Sequence, residues 1–139
     1  MDKLSTARRS ENMRRIRSEG TRPEIKVRKM LHRIGYRFRV HVKDLPGKPD
    51  VVFTRKRRII LVHGCFWHQH PDSGCLGARL PKTRIDYWIP KLARNQERDA
   101  SVISALTDAG WSVLVVWECE VDRDPNLLSK LAAFIGPAK

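Results

Sequence analysis

The chain has 139 residues, a length that fits one domain with a core of its own. Its formal net charge is +13, from 28 Lys and Arg against 15 Asp and Glu, which predicts attraction to a polyanion, most often a nucleic acid. The sequence has no signal-peptide pattern and no apolar run of about 18 residues, so a secreted or membrane protein is not expected. We expect a soluble cytoplasmic protein whose three cysteines are reduced.

Residues 1–20 are polar and basic, and only Leu4, Met13 and Ile16 are sizeable apolar residues among them. Such a segment has too little apolar surface to offset its own ordering entropy. Two interpretations stay open. The segment is a floppy terminus, or it is an arm that orders on DNA, with arginines such as Arg14 and Arg15 on the phosphates and Met13 as an apolar wedge.

A helix is predicted to follow the arm. Thr21 is a candidate N-cap, Pro23 suits the first turn, Glu24 completes a capping box, and Gly35 fits the end of the helix. The next predicted elements are a strand over residues 36–42, a turn over 43–49, a strand over 50–53, a charged turn over 54–58 and a strand over 59–62. The last two strands would form a hairpin.

The second half of the chain is predicted to contain three helices and one strand. Helices are expected over residues 81–92, 96–109 and 125–135. The strand, over residues 111–117, is an apolar run that suggests burial on both faces. Ile103 and Leu106 would face the core, and Gly110 would end the second of these helices. The expected fold class is α/β, a mixed sheet flanked by helices in one domain over residues 21–139.

One loop, V-H-G-C-F-W-H-Q-H-P-D-S-G-C, contains two of the three cysteines and three of the five histidines. With a cysteine near the end of the last strand it provides a Cys₃His set of the kind that holds structural zinc. The candidate ligands are Cys65, His70, Cys75 and Cys119. Asp72 competes for one position. The alternative is that Cys75 or Cys119 is only a small buried apolar residue.

Asp50 stands at the start of a predicted strand, where many nucleases place a Mg²⁺ ligand. The second carboxylate expected on the returning strand is missing, because the strand ends Val62-His63, so the pattern alone favours a simple turn. His63 and His68 lie near this strand end. Because zinc needs only one histidine of the loop, these two are free to act as a general base or to contact a phosphate. Asp99 is a candidate to orient one of them.

Phe66 and Trp67 lie side by side in the same loop. Paired large aromatic residues usually belong to a core. In a strongly basic protein with polar neighbours, however, exposed aromatic rings stack on bases or wedge between them.

Six motifs in order, T-R-P-E, P-D, H-G-C-F-W-H-x-H, T-R-x-x-Y-W, N-x-E-R-D and W-x-V-L-V-V-W-E-C, closely resemble the very-short-patch-repair (Vsr-type) mismatch endonucleases, over nearly the whole chain. The resemblance implies a restriction-endonuclease-like fold of the PD-(D/E)XK type. It also implies a monomer that nicks double-stranded DNA 5′ of the thymine in T·G mismatches, which arise by deamination of 5-methylcytosine. Such an enzyme would be cytoplasmic, and on the nucleoid when bound to DNA.

The resemblance implies roles for particular residues. Mg²⁺ would be held by the Asp50 carboxylate and the Val62 main-chain carbonyl, with Glu24 holding metal-bound water in place of its capping role. His68 would be the general base, oriented by Asp99, and His63 would contact the phosphate region. The implied DNA contacts are Met13, Arg14, Arg15, Phe66, Trp67, Trp88 and Lys91. The structural zinc set would be Cys65, His70, Cys75 and Cys119.

The segment between His70 and Cys75 is longer here than in the family pattern, which makes Cys75 the least secure zinc ligand. Two other functions stay open. One is a sequence-specific restriction endonuclease of the same fold that cuts both strands of matched DNA. The other is a zinc-containing DNA-binding module without catalysis.

Overall fold

The computed structural model describes residues 21–72 and 74–137. Within them lie four α-helices, three strands and one short 3₁₀ turn. In chain order these are α1 Arg22–Arg33, β1 Val51–Phe53, β2 Arg58–His63, the 3₁₀ turn Leu76–Ala78, α2 Ile85–Asp108, β3 Ser112–Trp117, α3 Glu118–Arg123 and α4 Leu127–Ile135. The predicted arm, with Met13, Arg14 and Arg15, lies outside the described residues. None of the described helices is long and apolar enough to cross a membrane.

The sheet is mixed, with strand order β1-β2-β3. The predicted hairpin is confirmed, because β1 and β2 are antiparallel and pair Val51 with Ile60. β3 lies parallel to β2 on its other side. The prediction of a strand over residues 36–42 is wrong. Only Arg39 forms a bridge, with Val52, and at His41 the backbone turns to a φ of +48°, which an extended strand cannot continue through.

Alternate residues of the strands face two apolar layers. One face packs Val51, Ile60 and Val116 against the apolar residues of α1 and α4. The opposite face packs Ile59 and Leu61 against α2 and Trp111. The sheet is therefore covered by helices on both sides, and the predicted α/β class is confirmed. β3 touches both layers as predicted, but only its Val116 is buried, since β3 lies at an edge of the sheet.

The helices differ from the prediction in three places. Residues 85–108 form one continuous helix, where two were predicted from residue 81 onwards. Pro90 lies in its second turn and removes only one backbone donor there. The side chain of Thr21 makes no capping hydrogen bond at the start of α1, so the predicted capping box is not formed. The helix α3 was not predicted, and it begins where the N–H of Trp117 donates to Glu120 Oε1 at 3.0 Å.

The topology gathers functional residues at one edge of the sheet. Because β1 runs antiparallel to β2, the start of β1 lies beside the end of β2. Asp50 therefore lies close to Val62 and His63. Because β3 runs parallel to β2, its end lies at the same edge, and α3 carries Cys119 directly after it.

Candidate active site

Two carboxylates approach each other at this edge of the sheet. Asp50 Oδ2 accepts the backbone N–H of Val62 at 2.8 Å, which fixes the carboxylate against the end of β2. Glu24, on α1, is only 6% exposed. Burial raises the pKa of Asp50 to about 7, and the neighbouring Glu24 carboxylate acts in the same direction. Two crowded, poorly hydrated carboxylates form a place where a divalent cation would be stabilised.

His41 approaches the same carboxylates from the segment that follows α1. Its Nε2 lies 3.4 Å from Glu24 Oε2. One ligand atom from each of Glu24, His41 and Asp50 lies within 4.8 Å of the other two, a spacing that suits a shared metal ion. No motif in the sequence pointed to His41.

A histidine–carboxylate pair is the second part of the candidate site. His68 Nδ1 donates to Asp99 Oδ2 at 2.6 Å, which leaves Nε2 as the ring nitrogen that can accept a proton. The ring of His63 stacks on His68, with 3.9 Å between centroids and 7° between planes. His63 is 7% exposed, and among the described residues its Nδ1 has no hydrogen-bond partner.

His63 and His68 do not have equivalent electrostatic surroundings. Burial lowers the pKa of His63 to about 4, and repulsion from His68 adds to the effect. At neutral pH His63 is therefore an uncharged imidazole, able to donate or accept a hydrogen bond. Of the two stacked rings, only His68 is held by a carboxylate.

Glu24 and Asp50 line one cleft of about 1530 Å³ together with His63, His68 and Asp99. Four basic side chains also reach it, which suits a polyanion. They are Arg22, Lys48, Lys91 and Arg98. Phe66 and Trp67 form part of the wall.

The predicted aromatic pair is part of a cluster of three rings. Phe66, Trp67 and Trp88 meet edge to face, with centroids 5.1 to 5.6 Å apart. All three are half-buried and lie outside the two apolar layers. Asn95 Nδ2 donates to the Trp67 carbonyl at 3.2 Å and so ties the loop to α2. The cluster is a partly exposed apolar surface beside the cleft.

The cysteines and His70 form a separate cluster, with three of its members in the loop and Cys119 from α3. Cys65 Sγ and Cys119 Sγ lie 3.8 and 3.4 Å from His70 Nδ1. Cys75 completes a group whose four ligand atoms lie within 4.8 Å of one another. Tetrahedral zinc with Zn–S of about 2.3 Å and Zn–N of about 2.0 Å places its ligand atoms roughly 3.5–3.8 Å apart, so the residues fit zinc.

Asp72, the competing candidate, has a different local role. Its Oδ1 accepts the N–H of Gly74 at 2.9 Å, a short turn that brings the chain back to Cys75. The four-residue cluster contains Cys75 and not Asp72. Although desolvation acts in the opposite direction, hydrogen bonds with His70 and Cys65 lower the pKa of Cys75 to about 7. This turn therefore delivers a cysteine that ionises readily.

Comparisons of the sequence with known proteins identify its relatives. The family model described as DNA mismatch endonuclease Vsr matches residues 1–73. The DNA mismatch endonuclease Vsr of Escherichia coli K12 is 44% identical over 113 residues, 81% of this chain and 70% of that protein. The Type II nicking enzyme V.XorIIP of Xanthomonas oryzae pv. oryzae is 50% identical over 137 residues, 99% of this chain and 98% of that protein.

The chain belongs to the Vsr endonuclease family. The resemblance predicted from the motifs is thereby confirmed. Another relative, the Type II nicking enzyme V.NmeAIP of Neisseria meningitidis, is 40% identical over 120 residues, 86% of this chain and 84% of that protein.

In this Vsr-family chain most of the predicted site residues come together. The residues predicted for catalysis and for the cation all line one cleft: Glu24, Asp50, Val62, His63, His68 and Asp99. Lys91 lines the same cleft, and Trp88 joins the aromatic cluster. The individual roles of these residues stay predictions.

Motif analysis of the Vsr-family chain missed two ring contacts that span long stretches of sequence. Trp117 stacks on His70 with 4.3 Å between centroids, and its edge meets His63 at 5.3 Å. It therefore lies between the thiol cluster and the cleft. The predicted apolar strand contained Trp117, but only the register of β3 against β2, which pairs it with His63, shows the contact.

Proposed function

We propose that this Vsr-family endonuclease, acting as a monomer on double-stranded DNA, nicks 5′ of the thymine in a T·G mismatch. The observation that carries the proposal is that two groups share one cleft. The hydrogen-bonded pair of His68 and Asp99 lines the same cleft as the carboxylates of Asp50 and Glu24. A general base and a cation site are the two parts that phosphodiester hydrolysis needs.

The carboxylates fit a divalent cation. The crowding of Asp50 against Glu24, which contributes to a pKa of about 7 for Asp50, is relieved when a cation shares the site. Asp50 would hold Mg²⁺ directly, together with the main-chain carbonyl of Val62, and Glu24 would accept hydrogen bonds from its hydration shell. When bound there, Mg²⁺ would polarise the scissile phosphate and stabilise the leaving oxygen.

His68 would remove the proton from the attacking water. Asp99 holds Nδ1–H, so the basic Nε2 is directed away from Asp99 and stays available. A carboxylate in this position also stabilises the imidazolium that forms when the proton arrives. The uncharged His63, stacked on His68, limits the tilt of that ring and would donate an N–H to the phosphate.

The aromatic cluster would provide the preference for a mismatch. Phe66 and Trp67 lie in the same loop as His68. Insertion of these two rings beside a base pair would therefore bring the His68 imidazole to the neighbouring phosphate. Stacking on a base contributes about 1–3 kcal/mol. A mismatched pair costs less to open than a matched one, so this gain favours T·G. Lys91 and Arg98 would neutralise phosphates along the cleft.

The thiol cluster would hold zinc in a structural role. Four protein ligands, Cys65, His70, Cys75 and Cys119, leave no open position for a substrate. Because Cys65 and His70 flank Phe66, Trp67 and His68 in the sequence, zinc there would fix this segment as one rigid unit.

The test is a cleavage panel on duplexes that differ at one base pair. T·G, T·A and C·G duplexes with randomised flanks, each strand labelled, are incubated with Mg²⁺ or EDTA. We expect one nick, on the thymine strand of the T·G duplex, and only with Mg²⁺. Cleavage of both strands of matched duplexes would instead identify a restriction-type endonuclease. Binding without any cleavage would identify a DNA-binding module. The names of two relatives, which describe nicking enzymes, support single-strand cleavage.

A further inference from the structure

His41 lies beside the proposed cation site, yet the proposed function gives it no role. Its Nε2 lies 3.4 Å from Glu24 Oε2, and both side chains are well shielded, 16% and 8% exposed. The segment that carries it is held from both sides. Arg39 pairs with Val52 of β1, and Val42 packs against the apolar layer under α2. The ring is therefore placed by the fold at the two carboxylates.

We infer that His41 is a nitrogen ligand of the divalent cation held by Asp50, with Glu24 beside its hydration shell, and that it gives this site a preference for a transition-metal dication such as Mn²⁺ over Mg²⁺. The inference rests on the proposed function only in taking Asp50 as a ligand of the cation.

The spacing of the side chains leaves room for a shared cation. A charge-assisted N–H···O bond is about 2.7–2.9 Å long, and the pair of His68 and Asp99 is 2.6 Å apart. His41 Nε2 and Glu24 Oε2 stand wider apart, at 3.4 Å. One ligand atom from each of Glu24, His41 and Asp50 lies within 4.8 Å of the other two, so a cation held by His41 and Asp50 would have the Glu24 carboxylate beside it.

The donor set also fits a particular class of cation. Mg²⁺ prefers oxygen ligands only, whereas imidazole favours transition metals, for which affinity rises from Mn²⁺ through Fe²⁺ and Co²⁺. The Asp50 carboxylate and the His41 imidazole form a mixed set that Mn²⁺ accepts more readily than Mg²⁺. Arg28, 3.9 Å from Glu24, offsets part of the negative charge, so the identity of the donor atoms matters more for selectivity than charge alone.

The test uses the metal-free, full-length protein without DNA. Affinities for Mn²⁺ and Mg²⁺ are measured by calorimetry, and pulsed electron paramagnetic resonance of bound Mn²⁺ detects coupling to an imidazole ¹⁴N. The first variant is His41→Asn, because asparagine tolerates the left-handed backbone at this position. His41→Gln is the second variant. The matched control is His32→Gln, at an exposed histidine that stacks on Phe38 away from the site.

We expect ¹⁴N coupling in the wild type and in the His32 variant, and none in either His41 variant. Mn²⁺ affinity should fall at least about tenfold in both His41 variants, with a change of less than about threefold for Mg²⁺. Persistent ¹⁴N coupling, or an equal loss for the two metals, would overturn the role of His41. Asp50→Asn separates the two proposals. If that variant binds Mn²⁺ like the wild type, the cation site of the proposed function is at fault.

Discussion

Replacing Asp50 by asparagine should stabilise the metal-free protein while it abolishes nicking. The native pKa of Asp50 is about 7, against an ordinary 3.8. Between about pH 4 and 7 the native protein therefore keeps a proton on Asp50 that the unfolded protein has already lost. The free energy of unfolding falls as the pH rises through this range. At 1.36 kcal/mol for each pKa unit, the cost above pH 7 is at most about 4 kcal/mol. The asparagine side chain avoids this cost, and its amide oxygen can still accept the N–H of Val62.

Thermal unfolding in EDTA measures this effect. We expect the melting temperature of Asp50→Asn to exceed that of the wild type at pH 8 by roughly 5–10 °C, at about 3 °C for each kcal/mol in a chain of this size. The difference should shrink towards pH 5 and vanish near pH 4. Excess Mg²⁺ should raise the melting temperature of the wild type and leave the variant unchanged. Asp108→Asn, at an exposed position near the end of α2, is the control and should change stability by less than about 0.5 kcal/mol.

Two results would refute the reasoning. One is a variant that is less stable than the wild type at pH 8. It would mean that the hydrogen bond from Val62 to an ionised Asp50 outweighs the crowding against Glu24. The other is a stability difference that is the same at pH 5 and at pH 8. The titration of Asp50 would then play no part in it.

Four other changes test the loop, the thiol cluster and the arm. Trp67→Ala should reduce the preference of binding for T·G over T·A duplexes, and an unchanged preference would place the ring in a structural role. His68→Ala should keep that preference and lower the single-turnover nicking rate by roughly 10²–10⁴, whereas lost binding would mean that the histidine supports the fold instead. Cys119→Ser should lower zinc content and melting temperature together, which full activity in zinc-free protein would contradict. Deleting residues 1–17 should flatten the dependence of log K on log salt, to which each neutralised phosphate contributes about −0.9, and an unchanged slope would make the segment a passive tail.

The hairpin and the last helix could be predicted because their signals are local. Apolar runs bounded by turn residues place β1 and β2, and apolar spacing places α4. The strand expected over residues 36–42 failed for a tertiary reason. Tyr36 and Phe38 do pack on the apolar layer under α1, as the alternation suggested, but the left-handed backbone at His41 turns the chain to the carboxylates instead of along the sheet.

The residues of the candidate site also divide into those with a local sequence signal and those without one. His63, Phe66 and His68 could be singled out because they crowd into one short loop. His41 and Trp117 could not, because their neighbours are distant in sequence and are brought close only by the register of the sheet and the turn after α1. A single histidine in an alternating stretch has the pattern of an ordinary strand residue.

Ring contacts connect the thiol cluster to the candidate base. His70 stacks on Trp117, the edge of Trp117 meets His63, and His63 stacks on His68, with centroids 4.3, 5.3 and 3.9 Å apart in that order. Flat rings in contact restrict each other's tilt, while Asp99 fixes the far end through its 2.6 Å hydrogen bond to His68. A general base loses rate when its nitrogen moves by a fraction of an ångström from the reacting water. If zinc anchors His70, these three ring contacts would restrain His68, and a structural metal site with no open position for substrate would then affect the rate of the chemical step.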